Sequence, residues 1–176
     1  MKTDFHALWD KAMTYHQFLD ASKEHKGLWE AVHRLARIPD WARTAGPAEG
    51  ERHLLAIVED WCGDASNTIP ILARWAEETP GVDLRVVRRD ENPDLMNQYL
   101  TNGSRSIPIV IALDEEFREL GHWGPRPADL QTWVMANKPK VPKAELYPLI
   151  RRWYAKDHGE TTLREVIAAM GESHKP

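Results

Sequence analysis

The stretch from His53 to Glu78 constrains the chain more than any other. It opens with HLLAIV, His53 to Val58, a short apolar run without the alternation of a strand that keeps one wet face. Such a run suits a strand buried on both faces, so other elements must cover it from two sides. EDWCGDAS follows at once and holds the only cysteine, Cys62. A helical stretch then runs from Cys62 to about Glu78 with Pro70 inside it, where a proline removes one backbone hydrogen bond and kinks the helix. This order places a thiol at a helix N-terminus, where unpaired N–H groups favour an anion.

The flanking sequence extends the pattern. Phe5, Leu8, Trp9, Ala12, Met13, His16 and Leu19 repeat at helical spacing after Thr3, a candidate cap. Leu28, Trp29, Val32, Leu35 and Ala36 mark a second helix ending before Pro39. Val82 to Val87 reads as a strand, Pro93 to Leu100 as a helix capped by Asn92 and stopped by Asn102-Gly103, and Pro108 to Leu113 as another strand. Phe117 to Leu120 reads as a fourth strand and Pro127 opens a helix with Leu130, Trp133 and Val134. KPKVPK, Lys138 to Lys143, is a basic linker before two last helical stripes, Leu146 to Tyr154 and Leu163 to Met170. Strands alternating with helices imply an α/β layered fold in one domain, with parallel pairs joined by right-handed crossovers.

Composition removes several function classes. Net charge is −4, with acids and bases mixed along the chain, so nothing points to nucleic acid or an acidic membrane. No apolar run approaches the roughly 18 residues of a membrane span, and the first residues lack the apolar core of a secretory signal. One cysteine forms no intramolecular disulfide, so the cytoplasm is the expected compartment. The eight Trp, at helical spacing beside Leu and Val, are expected to pack in the core. His16, His25 and His33 lack metal-ligand spacing and one cysteine cannot anchor a thiolate zinc site, so neither metal nor cofactor is expected.

Around Cys62 the chain resembles the thioredoxin-like superfamily. The family pattern is a strand, then W-C-G-P-C, then a helix with a proline five residues past the second cysteine. Trp61, Cys62, Gly63, Asp64 and Ala65 stand in that order here, with Pro70 at the helix position. Ser106-Ile107-Pro108 matches the family's Ile-Pro, whose peptide bond is cis, and Gly124 is the candidate for the glycine before the last family helix. The resemblance covers roughly residues 50–137. It implies a thioredoxin-like core with an N-terminal helical extension, 1–49, and C-terminal helices, 138–176.

The resemblance also implies a chemistry. A thiolate attacks a disulfide and a second cysteine resolves the mixed disulfide. Cys62 would be the nucleophile, Trp61, Gly63 and Asp64 the loop around it, and Ile107 and Pro108 a groove for substrate backbone. Three departures stand out. The resolving position is Ala65, the motif proline is Asp64, and the family's buried acid, six residues before the cysteine, is Ala56. A helix terminus is worth about 0.3–1 kcal/mol and lowers the thiol pKa by about one unit. Glu59, Asp60 and above all Asp64 oppose it, so Cys62 is expected to be modestly activated and near solvent. Packing is the ordinary role of Trp61, and helix capping that of Asp64.

Two functions follow. The first is a monothiol thiol–disulfide oxidoreductase or thiol-transfer protein, resolved by an external low-molecular-weight thiol or acting on a disulfide-containing protein. The second is a redox-degenerate binding module that keeps the groove, with its Trp-bearing helices as a partner surface. Arg88, Arg89, Arg105 and Arg126 are ordinarily solvated charges, but two converging near Cys62 would bind the carboxylates of a small thiol such as glutathione.

Overall fold

A computed structural model describes residues 2–172. The centre is a five-stranded mixed sheet in the order β1-β3-β2-β4-β5. The strand β2 (Arg52–Val58) pairs in parallel with β3 (Val82–Arg88) and antiparallel with β4 (Ile109–Leu113). The strand β5 (Glu119–Trp123) closes one edge, antiparallel to β4. His53 to Val58 and every residue of β4 are buried, as a two-sided apolar run requires. The crossover from β2 to β3 is α5 (Gly63–Glu78), which continues through Pro70.

The N-terminal helix expected from Phe5 to Leu19 is broken. The helix α1 (Phe5–Lys11) stops, β1 (Met13–Thr14) pairs antiparallel with Val86 and Arg85 of β3, and α2 (Tyr15–Ala21) begins. The break covers a strand edge whose backbone groups would otherwise lack partners. Thr14 and Gln17 form a capping box, each side chain bonded to the other's backbone N–H at 3.1 and 2.9 Å. Asp4, not Thr3, caps α1. The helices α3 (Lys26–Leu35) and α4 (Asp40–Arg43) follow.

Residues 1–49, read from sequence as an extension, share the main core. Trp9, Phe18, Trp29 and Ala42 are buried in one cluster with β2, α5, β3 and β4. Their polar atoms bond across the seam: Trp75 Nε1 donates to the Ala42 carbonyl at 2.7 Å, and Trp29 Nε1 to the Asp60 carbonyl at 2.8 Å. Trp9 and Trp29 thus pack inward, as the expectation of core tryptophans has it. Truncating a fully buried aromatic such as Phe18 would cost about 3–5 kcal/mol.

Two other boundaries moved. The helix α6 is only Pro93–Met96, and Asn92 makes no side-chain cap; its amide bonds the Arg88 carbonyl instead. Asn102 and Gly103 take positive φ in a tight turn between Thr101 and Ser104 rather than ending a helix. The fourth strand starts at Glu119 because Phe117 turns with φ 59 while Asp114 accepts from the N–H groups of Glu116 and Arg118. Beyond β5 come α7 (Ala128–Asn137), α8 (Lys143–Asp157) and α9 (Glu160–Ala169). The helix α9 packs on β4 and β5, whereas α7 and α8 form a second apolar cluster from Leu130, Val134, Leu146, Ile150 and Tyr154.

Candidate functional site

Cys62 is the N-cap of α5, so strand β2 and the helix together fix its position. Its Sγ accepts from the Ala65 N–H at 3.5 Å and donates to the Ile107 carbonyl at 3.4 Å. The Ile107–Pro108 peptide is cis. Gly124 lies against this corner with φ 122, and any Cβ there would run into the Pro108 carbonyl oxygen.

Cys62 is 8% exposed, against the expectation of a thiol near solvent. Burial pushes it up to about 11. The Ala65 and Asp64 N–H groups and the Arg126 guanidinium pull the other way, while the Asp64 carboxylate adds to the rise. The expectation of modest activation weighed the helix terminus against nearby acids and omitted desolvation, which is the largest effect.

The three acids have separate duties. Asp64 is buried rather than a helix cap. Arg126 holds it with a fork, Nε to Oδ1 and Nη2 to Oδ2 each at 3.0 Å, and Tyr154 of α8 donates to Oδ1 at 2.8 Å. Burial and then the Asp64 charge raise the Tyr154 hydroxyl, so it remains a donor. Glu59 faces away and bonds Arg88 and the Asp90 N–H. Burial alone would raise Asp60, but the N–H groups of Lys23 and Glu24, with Arg88, hold it below the usual carboxylate range. Asp60 therefore anchors the segment before α3 to the cysteine loop, and Glu59 ties the loop to the end of β3. Ala56 is fully buried within β2, between Val86 and Val110.

Above Cys62 lies a cleft of about 790 Å³. Trp61, Cys62, Gly63, Asp64 and Ile107 all line it, whereas Pro108 is buried beneath. Trp61 is 45% exposed and stands under the Arg89 guanidinium, 5.0 Å from ring centroid to Cζ. Arg105, Arg126, Lys138 and Arg151 complete a cationic wall, against Asp64 as the one lining carboxylate. Arg89 is partly engaged by Asp90 at 2.9 Å and Arg105 by the Asn97 amide at 3.0 Å. Among the described residues, Lys138 and Arg151 make no ion pair. Arg88 belongs to the Glu59 cluster and does not line the cleft.

Sequence reasoning missed the wall that α8 builds. Tyr147, Ile150, Arg151 and Tyr154 sit on a helix that lies outside the expected core, and no local pattern ties that helix to Cys62. An i, i+4 stripe (Leu146, Ile150, Tyr154) marks the packed face, but not what it packs on.

Among the described residues, no helix is long and apolar enough to cross a membrane. No curated protein matches the sequence. Two solved structures share the fold along nearly the whole chain. One is a protein of unknown function from Pseudomonas aeruginosa, 20% identical, TM-score 0.77, covering 97% of this chain and 98% of its own. The other is an HIV epitope-scaffold, 20% identical, TM-score 0.75, covering 96% of this chain and 98% of its own. A family model described as thioredoxin matches residues 12–142, starting well before the resemblance seen around Cys62. With its mixed sheet, its cysteine at the α5 entrance and a family match over most of its length, this chain belongs to the thioredoxin-like family.

Proposed function

We propose that the protein is a thioredoxin-fold binding module whose cleft takes a small carboxylate-bearing molecule, with Cys62 in its floor. The burial of Cys62 under a basic cleft carries this reading. At a pKa of about 11 the thiol is almost wholly protonated at neutral pH, and the protonated form is not the nucleophile. The cleft nonetheless keeps the size of a small-molecule site, with Arg151 and Lys138 unpaired among the described residues and an aromatic platform at Trp61. A reducing, cytoplasmic setting fits a single thiol of this kind.

Monothiol transfer is the second reading, favoured by the Ala65 N–H aimed at Sγ and by the place of Sγ on the cleft wall. In that case the Cys62 thiolate attacks a disulfide of a bound small thiol or a partner protein. A mixed disulfide forms, one thiolate leaves, and an external thiol later releases Cys62.

S-methylglutathione separates the two, because it keeps both carboxylates and cannot exchange. Calorimetric titration should show equal binding to the wild type and to Cys62→Ser, and weaker binding to Arg105→Ala and Arg151→Ala. Rapid mixed-disulfide formation with oxidised glutathione by intact mass, at the rate of an exposed cysteine, would move the assignment to thiol transfer. No binding of S-methylglutathione to any of the four proteins would sink the small-carboxylate ligand.

A further inference from the structure

At the far end of α5 from Cys62, three side chains from three helices meet. His16 of α2 and His33 of α3 both turn Nε2 toward Glu77 in the last turn of α5. His16 Nε2 lies 3.1 Å from Glu77 Oε1, and His33 Nε2 lies 2.9 Å from Oε2. The three potential ligand atoms fall within 4.8 Å of one another. We propose that His16, His33 and Glu77 bind one divalent transition ion of the zinc class.

Bond lengths support the assignment. Zinc takes imidazole nitrogen at about 2.0–2.1 Å and carboxylate oxygen at about 2.0–2.2 Å in tetrahedral sites, which sets ligand atoms about 3.3 Å apart. The two His–Glu separations are a few tenths of an ångström shorter and the two imidazole nitrogens lie within 4.8 Å of each other, so an ion enters with side-chain rotations. Two imidazoles and a single carboxylate suit zinc, nickel or copper, and offer too few oxygens for magnesium or calcium. Three protein ligands leave the fourth position to water, and His16 and Glu77 border a small cavity of about 180 Å³.

The site is also held in place. Tyr15 stacks on the His33 ring, centroids 5.0 Å apart, and its hydroxyl donates to the Trp29 carbonyl at 2.9 Å. His33 is largely covered, its side chain 14% exposed, while His16 at 67% leaves a path for the ion. Sequence spacing argued against a metal because the two histidines lie on different helices and Glu77 on a third. The packing of α2 and α3 on each other, and of α3 on α5, brings them together. An occupied site would pin the N-terminal helices to α5.

Glu77 stands about 22 Å along α5 from Cys62 at 1.5 Å per residue, so the outcome here is separate from any reading of the cleft. The test is titration of the untagged full chain with Zn²⁺ against a chromogenic chelator. The expected result is one ion per chain with micromolar or tighter affinity. Glu77→Gln and His16→Ala should each weaken binding at least about tenfold, and Cys62→Ser should leave it unchanged. Both informative positions are exposed enough for the variants to fold, which circular dichroism checks. Co²⁺ should give visible d–d bands in the wild type and lose them in Glu77→Gln. No binding at high micromolar free Zn²⁺ overturns the proposal. So does affinity unchanged in Glu77→Gln and His16→Ala, or binding that disappears with Cys62→Ser.

Discussion

Titrating Cys62 by thiolate absorbance, with Cys62→Ser as the blank, measures the desolvation on which the functional reading rests. The structure raises the thiol from an ordinary 9.0 to about 11. That rise corresponds to about 3 kcal/mol in favour of the neutral form. At pH 7 about one molecule in 10⁴ would carry the thiolate, against about one in 100 for the ordinary thiol at 9.0. Thiolate supply thus falls about 100-fold, and the greater nucleophilicity of a more basic thiolate returns about eightfold. Iodoacetamide should therefore react about tenfold more slowly than with a free cysteine, before any hindrance from burial. In urea the rate should return to that of a free thiol. The same shift links to stability. Because the folded value is raised, the contribution is complete below the unfolded value and is lost as pH climbs through about 11. The wild type should lose up to about 3 kcal/mol relative to Cys62→Ser across that window. An absorbance midpoint at or below about 8.5 would refute the argument, since the helix terminus would then outweigh burial.

Asp64→Asn leaves the Arg126 guanidinium without its counter-ion; it should cost about 2–4 kcal/mol in urea denaturation and, by freeing a positive charge near Sγ, also speed Cys62 alkylation. A stability within a few tenths of the wild type would mean that the fork contributes nothing. Gly124→Ala should lower stability by more than about 3 kcal/mol, because its Cβ meets the Pro108 carbonyl oxygen at a φ of 122. A soluble variant melting with the wild type would contradict that packing.

The chain order around Cys62 determined a great deal by itself. HLLAIV suits a strand covered on both faces, as β2 is, and the cysteine just past it enters a helix whether or not a second cysteine follows. These are local facts, set by apolar periodicity and by where a proline or glycine is tolerated. The start of α2 was also legible in principle from the Thr14–Gln17 capping box, although the helical stripe running through Met13 masked it; the pairing of β1 with β3 was not. Tertiary structure decided what the site is like chemically. Asp64 looks like a helix cap in sequence, yet it is a buried ion-pair partner because Arg126 and Tyr154 reach it from 62 and 90 residues away. Cys62 looks exposed, yet the corner at Ile107 and its other neighbours desolvate it. The mixed charges along the chain hide a basic cleft and a His–His–Glu cluster, since Coulomb forces and ligand bonds act through space. A sequence pattern carries information over a few turns of chain; burial and convergence of charge exist only once distant segments have packed.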